Sequence, residues 1–73
     1  MAIRVKADVA GTVWKITAQA GAAVAADDEI MILESMKMEI PVAAPAAGRI
    51  ARFLVAEGEM IAEGQDLAEI DAT

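Results

Sequence analysis

The sequence predicts a small all-β domain, a flattened β-barrel built from two four-stranded antiparallel sheets. Three observations support this fold class. The chain has 73 residues, which is enough for one domain and one modest core. Short apolar segments, several of them alternating at period two, are separated by glycine and proline. The chain also matches itself when it is shifted by half its length, which indicates two copies of one unit.

The internal repeat sets the expected architecture. Gly11 falls on Gly48 and Gly21 on Gly58, and a series of apolar positions matches in the same ungapped register. The copies are residues 1–36 and 38–73, so Lys37 alone lies between them. We therefore expect one domain over residues 1–73, with two equivalent four-stranded units paired about a pseudo-twofold axis.

The strands are expected at the apolar segments of each copy. These segments are residues 3–5, 13–16, 30–32, 40–42, 50–55 and 67–70. The five glycines, together with Pro41 and Pro45, are expected at strand boundaries and turns. The alanine-rich stretch 18–26 is not predicted to be helical, because Gly21 interrupts it and no apolar stripe of period 3.6 runs through it. Trp14 and Phe53 are expected in or beside the core.

Two strand-like runs meet at the middle of the chain with only a tight turn between them. Met36 and Lys37 form its corner, although such hairpins usually carry Asn, Asp or Gly where positive φ is needed. A sequence that gives up turn chemistry at one place invites a functional explanation. The repeat makes this turn equivalent to the meeting point of the chain ends, so Lys37 is expected at one tip, far from Met1 and Thr73.

The run Glu34-Ser35-Met36-Lys37-Met38-Glu39 at this turn resembles the lysine attachment motif of the biotinyl/lipoyl attachment domain family. The resemblance covers essentially the whole chain and is closest to the free-standing biotin/lipoyl attachment proteins. It implies a barrel-sandwich hybrid fold with biotin attached covalently to Lys37. It further implies the flanking motif residues Met36 and Met38, and recognition by a biotin protein ligase through Glu34, Ser35 and Glu39.

Two departures from the family pattern matter. Ser35 stands where the commonest motif has Ala, a change between small residues that we expect to be harmless. Some bacterial carboxyl carriers also have a protruding thumb in the first half, and the gapless repeat leaves no space for one. No function of a thumb is therefore carried over to this chain.

The resemblance implies a carrier protein and not an enzyme. The biotinyl arm would carry a carboxyl group between the sites of a biotin carboxylase and a carboxyltransferase, and tethering would make both encounters effectively intramolecular. Attachment uses a neutral amine, whereas an ordinary lysine is almost entirely protonated at neutral pH. With no His and no Cys in the chain, the ligase must supply deprotonation and activation, and we predict no catalytic residue here.

Other functions stay open at this point. Lipoyl domains share the fold and modify a corresponding lysine, but they typically place Asp before it and Ala after it. Met36 and Met38 therefore favour biotin, although lipoate on Lys37 remains an alternative. An unmodified protein-binding module is a second alternative. An independent enzyme is disfavoured, because the chain has no His or Cys and offers no pair of a nucleophile and a general base beside a glycine-rich phosphate loop.

Composition restricts partners and location. The net charge of −6 argues against nucleic acid and against anionic membrane surfaces. No apolar run approaches the length of a membrane span, and the first residues lack the apolar core of a signal peptide. We expect a cytoplasmic, free-standing monomer. No metal site is predicted, since the acids at 27–29 are expected to form a solvated turn.

Overall fold

The computed structural model describes residues 1–72, and within them it contains eight β-strands and no helix. The strands are β1 (Ala2–Lys6), β2 (Gly11–Ile16), β3 (Ala23–Val24), β4 (Glu29–Ser35), β5 (Met38–Ala43), β6 (Gly48–Phe53), β7 (Met60–Ile61) and β8 (Asp66–Ala72). The alanine-rich stretch 18–26 contains no helix, as predicted, and consists of a turn followed by β3. The predictions that involve Thr73 lie outside the described residues.

The strands form two antiparallel sheets, with the orders β1-β8-β6-β3 and β5-β4-β2-β7. The shift that superposes Gly11 on Gly48 turns each strand of the first half into one of the second half and exchanges the sheets. Even the bulges correspond, since Trp14 and Ala51 are the extra residues in β2 and β6. The predicted all-β class, the two four-stranded sheets and the pseudo-twofold repeat are confirmed. The sandwich is flattened and its sheets do not close into a continuous barrel.

The core lies between the sheets and is filled by both halves of the chain. Its largest fully buried side chains are Val13, Ile30, Met31, Leu33, Ile50, Leu67 and Ile70. Burial of each such side chain contributes about 1.5–3 kcal/mol. No polar or charged residue between positions 1 and 72 is buried, so apolar packing and the backbone hydrogen bonds of the sheets hold the fold together.

Three expectations about individual residues are wrong. Trp14 is 48% exposed, because it follows Val13, which faces the core, and the bulge at Trp14 lets Lys15 face outward and Ile16 return toward the core. Pro41 lies inside β5, where an edge strand tolerates the missing N–H. Val55 is buried but lies beyond β6, which ends at Phe53. Phe53 does pack against the core, as expected.

Candidate functional site

The candidate site is the hairpin that joins β4 to β5. Ser35 pairs with Met38 across the two strands, which leaves only Met36 and Lys37 for the turn. Both turn residues have positive φ, 52° for Met36 and 65° for Lys37, as a two-residue hairpin of type I′ requires. For residues with a Cβ this left-handed conformation costs about 1–2 kcal/mol each. The predicted tight turn is therefore present, and it is formed by residues that disfavour it.

The base of the hairpin is held firmly by the sheet below it. β4 lies between β5 and β2, and Leu33 is buried in the core. Gly11, at the start of β2, approaches the β4 backbone so closely that a Cβ there would collide with the carbonyl oxygen of Glu34. The close approach anchors the strand just before the turn. The turn itself extends beyond the core into solvent.

The tip of the hairpin is open to solvent. Lys37 is exposed, and the exposed fractions of Met36 and Met38 are 91% and 63%. A shallow concavity of about 430 Å³ lies beside Lys37, lined by Ser35, Met36 and, from β7, Met60. Met60 is 80% exposed and was not among the predicted site residues, because only the tertiary pairing of β7 with β2 brings it to this end.

The charges around the turn leave the lysine unpaired among the described residues. The four ion pairs within residues 1–72 all lie on the sheet that contains β1 and β8, and none includes Lys37. Glu34 and Glu39, two predicted recognition residues, are directly opposite each other and share one face of the hairpin. The structure thus brings all six predicted site residues to one tip, where Lys37 takes part in none of the ion pairs of residues 1–72.

Other kinds of site find no support in the part of the chain that the structure describes. No group of three or more His, Cys, Asp or Glu residues is placed to hold a metal ion there. In the acidic stretch 27–29, Asp28 accepts a hydrogen bond from the Ala25 amide at 2.9 Å, so it closes its own turn. No helix in residues 1–72 is long and apolar enough to cross a membrane.

This chain is similar to known proteins along nearly its whole length. A family model described as biotin-requiring enzyme matches residues 1–70. The biotin/lipoyl attachment protein of Bacillus subtilis is 39% identical over 66 residues, 90% of each chain. Pyruvate carboxylase of the same organism is 45% identical over 67 residues, which are 92% of this chain and 6% of that enzyme.

Two further proteins are similar to this chain, one in sequence and one in its solved structure. A probable dihydrolipoyllysine-residue succinyltransferase component of the mitochondrial 2-oxoglutarate dehydrogenase complex, from Schizosaccharomyces pombe, is 41% identical over 63 residues. These residues are 86% of this chain and 14% of that protein. Among solved structures, urea carboxylase of Kluyveromyces lactis superposes with a TM-score of 0.93 at 32% identity. The superposition covers 97% of this chain and 6% of that one.

Proposed function

This chain belongs to the biotin/lipoyl attachment domain family, and on that premise we propose that it is a biotin carrier with Lys37 as its attachment residue. The observation that carries the proposal is the hairpin turn itself. Met36 and Lys37 adopt positive φ without the residues that favour it, and the lysine amine extends from a corner anchored by the sheet. Such a turn lowers the stability of the hairpin but exposes the lysine side chain, and a lysine that is to be modified needs that exposure.

The residues of the tip suit a covalently held group. Lys37 Nζ would form an amide with the carboxyl group of biotin, while the activating group leaves that carboxyl and the amine proton passes to the ligase. The amide removes the lysine charge. Met36, Met38 and Met60 then offer flexible, polarizable side chains beside the arm, suited to several partner pockets. Bound biotin would supply a ring nitrogen that accepts and releases a carboxyl group.

The proposal implies two classes of partner. A biotin protein ligase would enclose the tip, with Glu34, Ser35 and Glu39 as its recognition residues. A biotin carboxylase and a carboxyltransferase would then receive the loaded arm in turn. The fixed corner keeps the root of the arm in a constant position, and the tether raises the local concentration of the arm's end at each docked enzyme. Catalysis belongs to these partners, and location in the cytoplasm stays a prediction.

A lipoyl carrier is the second candidate, and one specific observation favours it. The relatives include a dihydrolipoyllysine-residue succinyltransferase component that matches 86% of this chain. The neighbours of Lys37 favour biotin instead, since Met36 and Met38 stand where lipoyl domains typically have Asp and Ala. We therefore retain lipoate as an alternative cofactor on the same lysine.

The proposal is tested by loading the purified carrier in two parallel reactions. One contains a biotin protein ligase, MgATP and biotin, and the other a lipoate ligase, MgATP and lipoate. We expect one biotinyl group per chain in the first reaction and little change in the second, read by intact mass. The loaded carrier should then gain label from radioactive bicarbonate in the presence of a biotin carboxylase. The Lys37→Arg variant, which keeps the charge and much of the bulk of the side chain, should gain neither the biotinyl group nor the radioactive label. Loading in the lipoate reaction alone would contradict the proposal.

A further inference from the structure

The pseudo-twofold axis provides an internal comparison between the outer faces of the two sheets. On the sheet that carries the lysine hairpin, Ile32 lies opposite Pro41 on one side and Lys15 on the other, so all three share the outer face. Trp14 adjoins Lys15 at the bulge and is 48% exposed. We call Trp14, Ile32 and Pro41 the lysine-side patch. It is an apolar surface next to the hairpin in which Trp14 and Pro41 are exposed and Ile32 is half-buried, with the exposed Lys15 at its edge.

Two of the three equivalent positions on the other sheet carry charges. Pro41 corresponds to Arg4 and Ile32 to Glu69, while Trp14 corresponds to Ala51. There Arg4 Nε lies 3.2 Å and Arg52 Nε 3.4 Å from the Glu69 carboxylate. On this second sheet, the same backbone arrangement therefore carries an ion network at the positions that are apolar in the lysine-side patch. The apolar character of the lysine-side patch is not a requirement of the fold.

The acids next to the patch show the same asymmetry. Glu34 lies opposite Glu39, and neither forms an ion pair within residues 1–72. The twofold equivalent of Glu34 is Asp71, which lies between Ala2, the equivalent of Glu39, and Arg49, the equivalent of Thr12. Like charges directly opposite each other across two strands are destabilising. The lysine-bearing face thus keeps uncompensated negative charge at its tip end, where the other face has a cation.

From this asymmetry we propose that the lysine-side patch, with Glu34 and Glu39, is the surface by which the loaded carrier docks on its biotin carboxylase. The inference rests on the proposed function and names the docking surface of that function. The occupant is a protein surface with an apolar recess for Trp14 and cationic side chains that neutralise the two acids. Exposed tryptophan is a residue type that contributes strongly to protein interfaces.

The dimensions fit an enzyme that must also receive the arm. Ile32 precedes Met36 by four residues, about 13 Å along an extended strand. A partner that covers the patch therefore reaches the root of the arm at the same time.

The test compares fully loaded carriers as substrates of a biotin carboxylase subunit from the same organism, with MgATP and radioactive bicarbonate. Loading is checked by intact mass before each assay. Trp14→Ala should raise the KM for the carrier about tenfold while kcat stays unchanged, because docking is lost and the chemistry of the arm is not. Arg52→Ala, on the opposite face, is the matched control and should keep the wild-type KM.

Salt provides the second measurement. Raising ionic strength should raise the wild-type KM, because added ions screen the acids from the cationic partner. Glu39→Gln should reduce that dependence. An unchanged KM for loaded Trp14→Ala would overturn the proposal, as would a defect confined to the ligase reaction, which would assign the patch to the ligase. A wild-type carrier that no biotin ligase loads would contradict the proposed function itself, and this docking role with it.

Discussion

Lys37 lies at a position where two demands on the residues oppose each other. A type I′ turn favours Asn and Gly at its two central positions, yet the chain has Met36 and Lys37 there, with φ of 52° and 65°. The side chain of Met36 is 91% exposed, so burial does not compensate the turn. At this scale the local stability of the hairpin is reduced in favour of an accessible amine between two flexible thioethers.

Replacing the corner with favoured turn residues should therefore stabilise the domain. We expect Met36→Asn combined with Lys37→Gly to raise the free energy of unfolding by about 1–2 kcal/mol, because Asn lowers and Gly removes the positive-φ cost, while the greater chain entropy of unfolded Gly offsets part of the gain. Urea unfolding followed by circular dichroism measures the change. Met60→Ala replaces an equally exposed methionine outside the turn and should stay within about 0.5 kcal/mol of wild type. A double variant no more stable than this control would contradict the account.

Single residues were predictable where local pattern decides their place. The turn at Met36 and Lys37 could be predicted because two strand-like runs leave no other residues for it. The exposure of Trp14 could not, since Val13 and Ile16 both face the core only because of a bulge between them, and a bulge is set by the pairing of β2 with β4 and has no mark in the sequence. The place of Met60 beside the lysine also depends on tertiary pairing.

At the scale of elements, the lysine hairpin depends on how closely β2 approaches β4. A Cβ at Gly11 would meet the carbonyl oxygen of Glu34, and a Cβ at Gly48 would meet that of Asp71. The two contacts are twofold equivalents, but only the first lies at the root of the lysine turn. Substituting each glycine in turn therefore distinguishes an effect on the stability of the domain from an effect on the geometry of the lysine turn.

We expect Gly11→Ala and Gly48→Ala each to lower the free energy of unfolding by about 1–3 kcal/mol, because backbone must move to admit the methyl group. Only Gly11→Ala should also slow biotin attachment, since it displaces the strand that supports Lys37. Urea unfolding and the initial rate of ligase loading, measured on the same samples, separate the two effects. Equal loading rates for both variants would argue against a rigid corner.

The ion network on the outside of the other sheet makes stability depend on pH. Asp66 accepts hydrogen bonds from Lys6 and Arg4, each at 2.7 Å, and these lower the pKa of its carboxyl group. Because the folded-state pKa is the lower one, ionised Asp66 stabilises the fold above the carboxyl pKa of the unfolded chain. That contribution is lost as the pH falls through the folded-state pKa.

Asp66→Asn should therefore lower stability at neutral pH and make the acid loss of stability shallower. Urea midpoints at neutral pH and at about pH 3 measure both effects. Asp8→Asn, which changes an exposed acid outside the four ion pairs, is the control and should follow the wild-type profile. An Asp66→Asn profile that runs parallel to wild type would show that the network does not stabilise the fold.

The elements themselves were predictable to the extent that apolar runs mark them. The six longer strands lie at the predicted segments, whereas β3 and β7 have two residues each and offer no pattern to detect. Pro41 is predicted at a strand boundary or turn and is instead inside an edge strand, where a missing N–H is tolerated. The ungapped register of the repeat predicted that the two halves of the chain are equivalent units, which no individual strand could show.

For the whole molecule, the sheets leave edges that discourage self-association. β3 and β7 are very short, β5 contains Pro41, and β1 carries Arg4 and Lys6. Short, charged or proline-containing edges are poor templates for pairing with a second copy. We therefore predict a monomer by size-exclusion chromatography with light scattering. A dimer that persists on dilution would contradict this prediction and place part of the surface in an interface.

The central claim is that Lys37 of this barrel-sandwich domain carries biotin. The most direct test is mass spectrometry on the intact protein and its peptides, from cells supplied with both biotin and lipoate, beside a Lys37→Arg variant. We predict a single biotinyl increment on the peptide that contains Met36 and Lys37, absent from the variant. A lipoyl increment, a biotinyl group on Lys6 or Lys15, or an unmodified lysine despite an active ligase would contradict the account.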